Sequence, residues 1–213
     1  VNKLHGRVLG AGASGGGASG RKGGFWAPFP SVLGFKGLQD RYGEEETRRF
    51  VKMQVEAVEC VRNIARIEGY CIDEQGDGVW AVAHSPKAFQ ELQVEAAGYE
   101  SFGIKTKILY RDEFAAQVHT STEQFGGMWM EAGFGLHPMK AARGLAQAAQ
   151  NAGAKLYEKH NVTSWEKQGR VHILETAKGV IRAKSVIIAT NGFSPEGLKP
   201  PLTRNLLPVL SNI

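Results

Sequence analysis

Glycine crowds one end of this chain and limits what that end can become. Eleven of the 27 glycines fall within the first 37 residues, most of them in Gly10–Gly24, GAGASGGGASGRKGG. Each glycine costs a helix roughly 1 kcal/mol relative to alanine, so the segment is predicted to be a loop. Before it, Val8-Leu9 could end a strand. GxGxxG occurs twice, at Gly10-x-Gly12-x-x-Gly15 and at Gly15-x-Gly17-x-x-Gly20. A dinucleotide fingerprint needs a strand before the motif, a helix after it and an acid some way on. Gly16 to Pro30 cannot supply that helix, and no Asp or Glu occurs before Asp40. A Walker A loop fails too, because Gly20 is followed by Arg21-Lys22 rather than Lys-Ser/Thr. What remains is a run of backbone N–H groups suited to an anion nest, with Arg21 able to grip a phosphate by two hydrogen bonds. A flexible, solvated linker is the plain alternative.

Charge follows the same division. Residues 1–39 hold Lys3, Arg7, Arg21, Lys22 and Lys36 and no acid. The net charge of +5 therefore belongs to this end, and the rest of the chain is balanced. A general nucleic-acid surface is not indicated. At 42% hydrophobic and 22% charged residues, the chain is neither disordered nor fibrous. No run of 18 apolar residues occurs, so no membrane span is expected. The start lacks the apolar region of a signal peptide and is Val rather than Met. Cys60 and Cys71 have no zinc or CxxC spacing and read as reduced thiols of a cytoplasmic protein.

Beyond the loop the pattern alternates between helix and strand. Phe50, Met53, Ala57, Val61 and Ile64 predict a helix over 44–67, with Glu44–Glu46 at its positive end and Gly69 as its cap. Strands are predicted at 79–83, 105–110 and 125–131. Ser85-Pro86 should open a helix to about Ala97, and 111–118 a shorter one. Pro138 opens another, from about Met139 to Ala152. Strands follow at 162–165, 170–176, 180–183 and 185–190, with a turn at Lys178-Gly179.

Two further features bear on chemistry. In RAKSVIIATNGF, a run read as buried, Val186–Ala189, leads into Thr190-Asn191-Gly192. Small residues at the carboxyl end of a strand let a ligand approach the backbone, although an ordinary strand and turn fit equally well. His137, in Leu136-His137-Pro138, precedes a helix and reads more simply as a cap than as a catalyst. No histidines stand at metal-ligand spacing, no metal site is expected, and no catalytic residue can be named.

Together these pieces resemble the FAD-dependent oxidoreductases of the D-amino-acid oxidase type, in particular the bacterial amine oxidases such as gamma-glutamylputrescine oxidase. The resemblance rests on ASGRKGG, LHP before a helix, GAKLYEKHNVTSWE, VIIATNGF and LLPV in that order, from about Val8 to the end. It implies an α/β (mixed α+β) chain. An incomplete Rossmann-type FAD domain (1–71 and 132–198) would interleave with an antiparallel substrate-domain sheet (72–131 and 199–213). It implies FAD as cofactor. Ala18, Ser19, Gly20, Arg21, Lys22, Gly23 and Gly24 would line the flavin ribityl, pyrophosphate and ring edge. The Val162 backbone would touch the adenine, and Ala189, Thr190, Asn191 and Gly192 would approach the pyrophosphate. The substrate would be a small amine or amino acid. The sequence departs from such proteins by lacking a leading strand–GxGxxG–helix unit, by Lys22 in place of Asn, and at Gly10, where an acid would hold the adenosine ribose. The chain reads as the middle of a longer oxidase, expected to bind FAD weakly or not at all and to be inactive alone. A non-catalytic anion- or nucleotide-binding module, or a degenerate remnant of an oxidase, is the competing reading.

Overall fold

A computed structural model describes residues 6–191 and 198. The chain divides into two compact units, residues 24–141 and residues 1–23 with 142–213.

In chain order the first elements are β1 (Arg7–Leu9), β2 (Phe25–Trp26), α1 (Gly34–Glu68), β3 (Val79–Val82), α2 (Pro86–Ser101) and β4 (Thr106–Tyr110). Next come α3 (Arg111–Gln117), β5 (Gly126–Met130), β6 (Phe134–Gly135), α4 (Pro138–Asn151) and β7 (Lys155–Tyr157). β8 (Val162–Gln168), β9 (Val171–Thr176) and β10 (Gly179–Ala183) complete the series.

In the 24–141 unit, helix α1 is longer than its apolar pattern predicts. It begins at Gly34, ahead of the expected start at Glu44, and breaks at Gly43 (φ 83°, ψ 165°). The added turns form because Leu38 is buried and Phe35 packs beside Tyr99, ring centroids 4.9 Å apart. After the break, the Thr47 hydroxyl donates to the Gly43 carbonyl at 2.8 Å. Gly69 then ends the helix in the left-handed conformation, as predicted. Helix α2 starts as expected, with the Ser85 hydroxyl accepting from the Ala88 N–H and Pro86 at its first position.

Strands β3, β5 and β4 form an antiparallel sheet with β5 central. Successive side chains alternate between its faces. Met128 and Met130 join Val51 of α1 and Ala96 and Tyr99 of α2 in one core cluster, with Ala81 and Ile108 against it. On the other face, fully buried Phe114 of α3 meets Trp80 edge-on at 5.4 Å. A second cluster joins Val58, Ala65, Ile72 and Phe134. The Arg62 guanidinium lies over the Phe134 ring at 4.3 Å and pairs with Glu59 and Glu74.

Among the described residues, the other unit holds two small sheets. β1 and β7 pair in parallel, with Leu9 opposite Tyr157. β8, β9 and β10 form an antiparallel meander, and Lys178 and Gly179 make the predicted hairpin turn. One strand expectation is corrected. Residues 185–190 are not a strand, and the run Val186–Ala189 is not buried: Ile187 is 91% exposed and Ile188 43%. A strand needs a neighbour for its backbone, and no ladder among the described residues extends past Ala183 to meet this run. Strand β7, in contrast, is an element that the apolar pattern does not predict.

Candidate functional site

Strand β1 delivers the chain into the glycine-rich segment, and its parallel partner β7 holds the start of that segment in place. The Gly10 N–H donates to the Tyr157 carbonyl at 3.0 Å, and the His160 N–H donates to the Gly10 carbonyl at 2.8 Å. The Lys159 N–H reaches the Gly12 carbonyl at 3.4 Å, and the Ser14 N–H donates to Glu158 Oε1 at 2.7 Å. Four links thus tie residues 10–14 to residues 157–160. The segment is a shaped loop rather than a flexible linker.

Further along, the Gly16 N–H donates to the Ala13 carbonyl, and Ala18–Gly20 form one tight 3-10 turn closed by the Arg21 N–H on the Ala18 carbonyl at 3.1 Å. Ala18, Ser19, Arg21, Lys22 and Gly23 are exposed and Gly20 is half-buried. Among the described residues, no ion pair uses Arg21. An exposed cation on a small-residue turn, in the loop that follows a parallel strand, is a donor set that suits a phosphate.

Val162 begins β8 opposite Thr176, two residues beyond His160 and its link to Gly10. The fold therefore brings the Val162 segment next to the loop's first residues, although they lie far apart in sequence. Ala189, Thr190 and Asn191 are exposed and lie in no strand among the described residues, and Asn191 takes a positive φ of 55°. Gly192 lies outside the described residues.

Gly24 belongs to the other unit and is buried there. Its φ is +83°, and a Cβ on it would sit 2.5 Å from the Leu136 carbonyl oxygen. Its own carbonyl accepts from the Leu136 N–H at 2.8 Å, and Phe25 pairs with Gly135 beside it. The last residue of ASGRKGG and the first of LHP are therefore direct neighbours. Only glycine fits this position without moving the strand.

His137 caps α4. Its Nδ1 accepts from the Lys140 N–H at 3.4 Å, and its own N–H donates to the Ile72 carbonyl at 2.7 Å. Lys140 Nζ contacts both oxygens of Asp73, at 2.8 and 2.7 Å. The Cys71 thiol also donates to Asp73, at 3.2 Å. Bonds from Lys140 and Cys71 hold the Asp73 carboxyl below its usual range. Cys60 and Cys71 are exposed and form no disulfide. Among the described residues, no group of three His, Cys, Asp or Glu side chains could hold a metal. No helix among them is long and apolar enough to cross a membrane.

Glu158 is the site residue that the sequence pattern does not reveal. Its signal is a position directly after a short apolar stretch, Leu156-Tyr157, but a three-residue strand leaves almost no periodicity to read.

Residues 7–213 match the family of FAD dependent oxidoreductases. The chain belongs to that family. The cofactor of that family is FAD. Gamma-glutamylputrescine oxidoreductase of Escherichia coli is 30% identical over 203 residues, covering 94% of this chain and 46% of the relative. A probable oxidoreductase, OrdL, of Haemophilus influenzae is 29% identical over 208 residues, covering 92% of this chain and 46% of its own length. The chain thus spans about half the length of the curated relatives it matches. Among solved structures, glycine oxidase from Geobacillus kaustophilus superposes with a TM-score of 0.64 at 22% identity, over 87% of this chain and 48% of that one. At that identity the likeness speaks for the fold, a mixed α/β arrangement of helices and small sheets.

Proposed function

We propose that the protein containing this chain is an FAD-dependent oxidoreductase that oxidises a small amine or amino acid. The observation that carries the reading is the loop at the carboxyl end of β1, pinned by hydrogen bonds to residues 157–160 and presenting exposed Arg21 on a small-residue turn. The residues fit the cofactor: small side chains leave room for a phosphate, and the donors are cations and backbone N–H groups.

When bound, FAD supplies the hydride acceptor for oxidation of the carbon next to the amine. In this reading Arg21 and Lys22 neutralise the pyrophosphate. Ala18, Ser19, Gly20 and Gly23 keep the backbone close to the ribityl and phosphate groups. Gly24, held on Leu136, lines the ring edge. The Val162 backbone contacts the adenine, while Ala189, Thr190, Asn191 and Gly192 approach the pyrophosphate. Residues 1–71 and 132–198 serve the FAD domain, and 72–131 and 199–213 the substrate domain. The likeness to gamma-glutamylputrescine oxidoreductase supports an amine substrate.

The test is an absorbance spectrum of the longer protein, purified in the dark. Flavin bands at stoichiometric occupancy, bleached on adding a suitable amine or amino acid, are expected. A colourless protein that takes up no FAD but binds phosphate in a salt-sensitive way would point instead to a non-catalytic anion-binding module.

A further inference from the structure

The carboxyl ends of parallel strands are where open α/β sheets bind nucleotides, and a carboxylate there takes the ribose hydroxyls. In this chain β1 ends at Leu9, and the next residue, Gly10, has no side chain to offer. The parallel partner β7 ends level with it, Tyr157 opposite Leu9, and the next residue on that strand is Glu158. The two strands therefore place Gly10 and Glu158 side by side at one end of the sheet.

Glu158 reaches across to the loop that follows β1. Its Oε1 accepts the Ser14 N–H at 2.7 Å, and Ser14 supplies its hydrogen-bond partners among the described residues. A carboxylate has about four lone-pair sites on its two oxygens, so acceptor capacity is left over. The Ser14 bonds, with Arg143 and Lys159 nearby, hold the group below the usual carboxylate range and so ionised at neutral pH. Glu158 and Ser14 also line a cavity of about 600 Å³, with Arg143, Gln147 and Gln150 from α4. That size suits a nucleoside, and the lining offers an anionic acceptor beside amide and guanidinium donors.

We infer that Glu158 holds the ribose hydroxyls of the FAD adenosine, taking from the neighbouring strand the part that Gly10 cannot play. This rests on the FAD reading above. It assigns a cofactor-binding role to a residue outside the glycine-rich loop.

The test measures FAD dissociation constants on the apo form of the longer protein by quenching of flavin fluorescence. Glu158→Gln keeps an oxygen for the Ser14 N–H, so the fold is expected to hold, as circular dichroism would verify. Its affinity for FAD should fall about 10-fold, the loss of charge-assisted bonds to the diol. Adding Gly10→Glu to this variant should restore most of that loss. A Cβ at Gly10 meets its nearest neighbour, the Gly12 carbonyl oxygen, at 3.4 Å, so the new side chain can be built there. An FAD analogue lacking the adenosine 2′- and 3′-hydroxyls should bind the parent protein and Glu158→Gln equally well. If Glu158→Gln binds FAD as tightly as the parent, the inference falls while the FAD reading stands. A loss that Gly10→Glu does not repair, or that persists with the analogue, would make Glu158 a brace for the loop and overturn the inference too. If the parent apo-protein takes no FAD at all, the functional reading itself fails, and the inference with it.

Discussion

The two units of this chain are built on unequal terms. Residues 24–141 bury Leu38, Val51, Val58, Ile72, Leu109, Phe114, Met128, Met130 and Phe134 among their helices and strands, with two core clusters. In the other unit, Ala148 and Leu174 are the buried apolar residues among those described, while Val8, Leu145, Val180 and Ile187 are all more than half exposed. Apolar area removed from water is the main favourable term in folding, at about 25 cal/mol per Å². The unit that carries the candidate cofactor loop is therefore the one with less intrinsic stability to draw on. Its loop is shaped by hydrogen bonds to one short parallel strand and the residues after it, and parallel sheets are ordinarily covered on both faces. A ligand that binds only the folded form would stabilise this unit by mass action.

The largest effect that tests this contrast is a core truncation. Phe114 is fully buried against Trp80 and Gly127, so Phe114→Ala should cost about 3–5 kcal/mol in urea unfolding of the 24–141 unit. Leu145→Ala removes a side chain that is 53% exposed and should stay within about 0.5 kcal/mol. Comparable costs for the two would mean that the units do not differ in the way their burial indicates.

Much of the larger unit is legible in the sequence because its elements are long and self-signalling. Ser85-Pro86 announces α2, Gly69 ends α1, and the spacing of Phe50, Val61 and Ile64 marks the helix before it. What escapes is set by tertiary contact. Gly34–Tyr42 is helical because Phe35 and Leu38 find the core, against the glycine content of the stretch. β7 is too short to show a period, so Glu158 and the clasp on Gly10 cannot be read. Gly24 and Leu136 carry recognisable motifs, but their contact across a long stretch of intervening chain is a property of strand pairing alone.

A smaller effect concerns the Asp73–Lys140 pair within the larger unit. Asp73 has an ordinary value of 3.8, lowered in the fold first by the Lys140 bond and then by Cys71. A lowered carboxylate contributes stability above its unfolded value and loses it as pH falls through the folded one. Asp73→Asn should therefore lower the melting temperature of this unit at about pH 5–8. The difference from the parent should begin to shrink below about pH 4, where the unfolded chain's carboxylate takes up its proton, and disappear once the folded carboxylate, which titrates lower, is protonated too. A difference that stays constant into strong acid would show that the pair does not stabilise the fold through charge.

The smallest expected effect concerns the residues where sequence pattern and structure part most sharply. Val186, Ile187 and Ile188 have the apolar, β-branched character of a buried strand. Among the described residues they pair with nothing that extends the meander past Ala183, and Ile187 is 91% exposed. Ile187→Ser in the 213-residue chain removes apolar surface that already meets water, so unfolding free energy should change by less than about 0.5 kcal/mol. In a chain extended toward the length of its curated relatives, the same substitution reads out whether another strand covers the run. A cost of about 2 kcal/mol or more there, with almost none in the shorter chain, would mean that the apolar run is buried by chain outside these residues. The poor burial of the loop-bearing unit would then be a property of this stretch of chain rather than of the complete fold. A large cost in the shorter chain itself would place Ile187 in a core after all and remove the contrast between the two units at its most exposed point.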